Sequence, residues 1–195
     1  MSASNRSSLI AKTYKVLKKY YDPISPPADR TVLDHLLYAC CLENASPEAA
    51  DEAFARLQQA FFDWNEIRVT TVTELAETMS SLPDAAAAAT RLKRVLQHVF
   101  EARYSYDIEA LKKQNLGRAA KELEGIRGVT QFGVAYVTQH GLGGHAIPVS
   151  EGIIGVLQVI GIASETEARK QRIPGLERAI TKSKGIEFAS LLHQL

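Results

Sequence analysis

The sequence has two cysteines, Cys40 and Cys41, and they are neighbours. Adjacent cysteines seldom bridge each other, and two thiolates fall short of a four-thiolate centre, so a disulfide framework and a cysteine-built metal site are both excluded. They read as small apolar packing groups of a reducing cytoplasm. No apolar run reaches the ~20 residues of a membrane span. The opening stretch, MSASNRSS, has no apolar signal core. A cytoplasmic protein without a membrane partner is therefore expected. An excess of charge of one sign is lacking too: 23 Lys and Arg stand against 22 Asp and Glu, a net charge of +1. Global basicity does not draw this chain to nucleic acid, so any anion-binding surface must be built locally. Strand patterning is missing as well; Val69–Val72 is β-branched but too short. His140 and His145 flank GLGG, yet no cysteine or carboxylate joins them at ligand spacing, and no metal site is expected. GLGG itself lacks the lysine and serine or threonine of a nucleotide-binding loop.

Helical periodicity fills the space these absences leave. The chain is 46% apolar over 195 residues, enough for a sizeable core. Residues 9–21, LIAKTYKVLKKYY, place apolar groups on one face and lysines opposite, which reads as a solvated amphipathic helix. Prolines 23, 26 and 27 stop it. Thr31 to about Asn44 is apolar nearly all round, as a central bundle helix would be. Ser46 is a natural N-cap with Pro47 at the first helical position. DWNEIRVTT, residues 63–71, reads as a connection, with Trp64 a core anchor between lobes, and Thr73 caps the helix after it. Asp84 opens an alanine-rich helix through about Ala102, and Tyr106–Gln114 forms a short one. Arg91, Lys93 and Arg94 form a basic patch. Further helices follow to the end, giving an all-α architecture.

One segment breaks the pattern. LEGIRGVTQFGVAYV places glycines at 125, 128 and 133 within helical sequence, although glycine costs about 1 kcal/mol against alanine there. Helix, tight turn, helix accounts for them. Gly125 ends the first helix in a left-handed conformation, Ile126 points into the core, Gly128 opens the turn, and Gly133 lets another backbone approach. Such a hairpin exposes backbone N–H groups that can bind an anion without a lysine. From spacing alone, the same glycines also suit a plain connection between packed helices. Arg118, Lys121 and Arg127 surround the hairpin and make it the best local candidate for a phosphate-facing surface.

The segment resembles the helix-hairpin-helix of the endonuclease III-like (HhH-GPD) DNA glycosylases. Their usual pattern is L-P-G-V-G-x-K-T-A; here it reads Leu123-Glu124-Gly125-Ile126-Arg127-Gly128-Val129-Thr130-Gln131. TVLDHLLYACCLENASPEAADEAFARL is similar to the family's early helix and loop, DWNEIRVTTVTELAETM to a stretch common in endonuclease III-like proteins, and HAIPVSEGIIGVLQVIGI to its V-D-T-H-x-x-R-V-L region. GIEFASLLHQL resembles the helix before its iron–sulfur loop. The resemblance implies a two-lobed helical fold in which residues 29–195 form the glycosylase-like domain, with the hairpin at 118–140. Residues 1–28, a helix and a Pro-rich connection, would pack on the terminal lobe.

The same resemblance implies base-excision chemistry with parts missing. The slot of the family's catalytic aspartate holds Ser150, and that of its Schiff-base lysine holds Val129, so lyase chemistry is not expected. Glu151 is the one substitute acid, but a step of one residue turns a helical side chain by roughly 100°. The loop that fills the gap left by a flipped base corresponds to Glu43 and Asn44; Asn44 can probe a base, whereas Glu43 repels phosphate unless it points away. The chain stops where the iron–sulfur loop would begin, so no cofactor is expected in it. Carried over residue by residue, Gly125, Ile126, Arg127, Gly128, Val129, Thr130, Asn44, Arg118 and Lys121 become the DNA-binding set. The sequence thus favours a monomeric, catalytically degenerate protein that binds duplex DNA, damaged or not. A working monofunctional glycosylase, or an interaction scaffold that has lost DNA, stays open beside it.

Overall fold

The computed structural model describes residues 3–27 and 29–195, with side chains from Asn5 onward. Met1 and Ser2 of the opening stretch, and the boundary read at residue 28, lie outside the described residues. Among the described residues the secondary structure is wholly helical, and no helix is long and apolar enough to cross a membrane.

The helices are α1 (Ala3–Tyr20), α2 (Val32–Leu42), α3 (Pro47–Ala60), α4 (Trp64–Val69), α5 (Val72–Thr78), α6 (Ala85–Arg103), α7 (Leu116–Glu124), α8 (Gln131–Tyr136), α9 (Glu151–Val159), α10 (Glu165–Arg169), α11 (Leu176–Ala179) and α12 (Lys182–His193). A 3-10 turn covers Glu109–Lys113, where the sequence suggested a longer helix, and a π-turn at Val137–Gly141 extends α8. Two cores form. The first is built by α2–α8 around α2, every residue of which except Asp34 is buried. The second joins α1 to α9–α12 around Phe188, Leu191 and Leu157. Fully burying one such leucine contributes about 1.5–3 kcal/mol, so these two clusters, rather than surface ion pairs, hold the lobes together.

Local chemistry sets the boundaries. Thr31 and Asp34 form a reciprocal capping box at the start of α2, with Thr31 N donating to Asp34 Oδ2 at 3.0 Å and Asp34 N to Thr31 Oγ1 at 3.1 Å. Ser46 and Asp84 cap α3 and α6 as expected. DWNEIRVTT is not a connection. Asp63 accepts from Glu66 N at 2.8 Å, Glu66 reaches back to Phe62 N at 2.6 Å, and one helix results. The next helix is capped by Thr71, not Thr73. Trp64 packs on Phe54 inside the first core, so it anchors one lobe and does not bridge two.

Candidate nucleic-acid interface

The hairpin is present between α7 and α8, and its turn differs from the sequence expectation. Gly125 has φ −75° and ends α7 in an ordinary helical conformation. The left-handed residue is Gly128, at φ +95°. A Cβ there would lie 2.7 Å from the Arg91 carbonyl oxygen and 2.9 Å from Arg94 Cβ, so the turn rests directly on the backbone of α6. Gly133 admits no other backbone; a Cβ there would touch only side chains, at 3.5 Å or more. The need for glycine is thus concentrated at one position.

The turn's donors divide into two sets. Gly125 N, Ile126 N and Val129 N already donate to carbonyls of Lys121 and Glu122, of Leu123 and of Ile126. Among the described residues, the N–H groups of Arg127, Gly128 and Thr130 have no acceptor. Ile126 is buried as expected, whereas Arg127, Arg118 and Lys121 are exposed. Two of these amides, at Arg127 and Gly128, are adjacent, an arrangement of donors suited to an anion oxygen.

A network unseen in the sequence fixes the turn. Thr130 Oγ1 accepts from Gly133 N at 3.1 Å, capping α8, and donates to Glu43 Oε2 at 3.0 Å. Arg91 Nε lies 3.6 Å from the same carboxylate, and Arg91 Nη2 donates to the Cys40 carbonyl at 3.1 Å. Glu43 therefore turns inward and its charge is met by Arg91, which removes the repulsion expected against phosphate. Burial nevertheless holds its carboxyl above the usual range, against the lowering effects of Arg91 and Thr130. Of the basic patch read at 91–94 only Arg94 stays exposed: Arg91 belongs to this network, and Lys93 Nζ donates to the Arg68 and Thr70 carbonyls at the end of α4. Arg127 is held at 2.7 Å by Glu101.

Across the cleft, Ser150 is 3% exposed at the N-cap of α9, and its hydroxyl makes no cap bond. The cap comes from the other lobe: Asn44, left-handed at φ +62°, offers Oδ1 to Gly152 N at 3.5 Å. Glu151 is exposed in the first turn of α9, and its charge lies near enough to Glu43 to help raise that carboxyl's pKa. A cavity of about 580 Å³ opens beside Ser150, and Asn44, Glu48, Gly152 and His193 help line it. Val129 lines a small gap beside Glu43 and Thr130, whereas Ser150 lines the larger cavity with Asn44 and Glu48. His140 lies in the π-turn that extends α8. Burial, with His35 and Arg30 nearby, lowers its pKa to about 4, and it is neutral. No group of three or more His, Cys, Asp or Glu residues suited to a metal occurs among the described residues.

An all-helical pair of lobes joined across a cleft, with a helix-hairpin-helix beside it, defines the fold of the endonuclease III-like DNA glycosylases. Solved structures bear this out across almost the whole chain. A non-covalent endonuclease III–DNA complex matches with TM-score 0.68 at 16% identity, covering 96% of this chain and 84% of that one. The H. pylori 3-methyladenine DNA glycosylase bound to 1,N6-ethenoadenine matches with TM-score 0.63 at 17% identity, covering 97% and 95%. The Clostridium acetobutylicum 8-oxoguanine glycosylase/lyase matches with TM-score 0.64 at 12% identity, covering 100% and 71%. No protein-family model matches the sequence, and no curated protein is a significant match.

Proposed function

We propose that the protein binds duplex DNA through the hairpin turn and does not break glycosidic bonds by the route of the proteins it resembles. The observation that carries this reading is the pair of acceptor-free amides at Arg127 and Gly128, held on α6 in a fold shared with DNA-bound repair enzymes. Turn amides grip a phosphate oxygen irrespective of sequence, which fits a chain without global basicity. Arg118 and Lys121 on α7 extend the contact. Asn44 is committed to α9, so it steadies the cleft more than it reads bases.

The chemistry argues for degeneracy. An oxocarbenium-like sugar needs a carboxylate beside it. Ser150 supplies none, Glu151 is exposed to solvent, and Glu43 is locked to Thr130 and Arg91. Val129 has no nucleophile for a Schiff base. The cavity beside Ser150 favours one second reading, a monofunctional glycosylase in which the Glu48 carboxylate activates water. Binding is tested by titrating a labelled duplex at two salt concentrations; tight, salt-sensitive binding is expected, and none at low salt refutes the proposal. Base release from duplexes carrying damaged bases, lost in Glu48→Gln, would replace the first reading by the second.

A further inference from the structure

A cavity of about 730 Å³ lies beside α7 and α8, separate from the one that Ser150 lines. Its floor is apolar, from Val134 and Ile147 to Ile173. Its far rim is the segment 170–178, which closes α10 and opens α11. That rim is pinned from several sides. Ile173 and Leu176 are buried in the second core, Arg6 donates to the Pro174 carbonyl at 3.3 Å, and His145 Nε2 lies 2.8 Å from both the Glu177 and Ile180 carbonyls. Left-handed turns at Gln171 and Gly175 bend the segment. With its apolar residues inward, Lys170, Arg172 and Arg178 stand exposed on the cavity's edge.

These three cations differ from most of the chain's arginines. Arg91, Arg103, Arg127 and Arg169 each pair with a carboxylate, whereas none of the three lies within 4.0 Å of one among the described residues. Two carboxylates, Glu124 and Glu177, share the cavity and are outnumbered. The opposite wall includes Glu124 and Gln131, the residues that flank the hairpin turn at either end. A strand seated on the turn amides therefore meets this cavity at its edge.

We propose that Lys170, Arg172 and Arg178 form a second, sequence-independent phosphate contact for the DNA strand held at the hairpin, adding to the charge of Arg118 and Lys121. The inference rests on the DNA-binding reading above. The test compares the intact chain with a K170Q/R172Q/R178Q variant on one labelled duplex across a salt series. Each phosphate contact contributes about 0.9 to the slope of log affinity against log salt, so the triple variant should lose about 2 to 3 from the slope. A companion variant, E124Q/E177Q, should bind more tightly than the parent. An unchanged slope in the triple variant, with the parent binding normally, overturns the second contact and leaves the hairpin reading standing; an E124Q/E177Q variant no tighter than the parent overturns it equally. No DNA binding by the parent chain overturns both. All five side chains lie on the cavity rim, outside both cores, and circular dichroism confirms folding of each variant.

Discussion

Replacing Gly128 by alanine tests how the hairpin is built. The added methyl meets the Arg91 carbonyl oxygen at 2.7 Å, Arg94 Cβ at 2.9 Å and Val95 N at 3.3 Å, and two of these three atoms are helix backbone that cannot swing aside. The position also sits at φ +95°, which an L-residue adopts at a cost of roughly 1–2 kcal/mol. Overpacking of this kind adds about 1–3 kcal/mol. The narrower unfolded ensemble of alanine returns about 0.4–1 kcal/mol. The net loss is then about 2–4 kcal/mol, or a fall in Tm of roughly 5–15 °C for a chain of this length. Gly125→Ala is the control. Its φ is −75° and its nearest new neighbour is Glu122 O at 3.4 Å, so it should be neutral or stabilise by about 0.5 kcal/mol. Thermal unfolding of both variants decides the matter. Equal Tm values, or a larger loss in Gly125→Ala, would refute the placement of the left-handed turn at residue 128.

Stability should also fall in mild acid. The folded pKa of His140 lies at about 4, below its ordinary value, so the fold favours the neutral ring. Its contribution is complete above about pH 6.5 and is lost as pH falls toward 4, by roughly 3 kcal/mol at most. His35 and His193, also lowered by burial, act in the same direction. Urea midpoints measured across this window should fall less steeply in His140→Gln; parallel curves would contradict the assignment. Asn44→Ala removes the cross-cleft cap on Gly152 and leaves alanine in a left-handed turn, a loss of about 1–2 kcal/mol by chemical denaturation, whereas Asn44→Gly should recover part of it. Borohydride added to the protein with abasic-site DNA should yield no covalent adduct, because Val129, which the resemblance sets at the lysine position, has no nucleophile. An adduct seen on a denaturing gel would show a nucleophile that this account omits.

The fold was legible where a signal was local. Thr31, Ser46 and Asp84 announce their helices by their own chemistry, and the all-round apolar character of α2 placed it at the centre of a core. Asp63–Glu66 carried a capping signature as well, an acid followed three residues later by glutamate. The β-branched run around Val69 masks it, so the sequence suggests a connection where a helix forms. The hairpin's existence could be read from its glycines, but its left-handed member could not. That depends on which residue meets α6, a contact between positions more than thirty residues apart. The Glu43–Thr130–Arg91 network is invisible in sequence for the same reason, and so is the capping of α9 by Asn44. Charge by itself misled. Arg91 and Lys93 cluster in sequence but are bonded inside the fold, whereas Lys170, Arg172 and Arg178 are scattered among apolar and acidic residues and stand exposed.

The account stands most directly on what the turn amides do when DNA arrives. Backbone amide correlation spectra recorded during titration with a short duplex report each N–H separately. The Arg127 and Gly128 signals should move together and saturate, while those of Gly125, Ile126 and Val129, already bonded within the chain, should shift far less. Saturable DNA binding that leaves Arg127 and Gly128 unmoved would contradict the account.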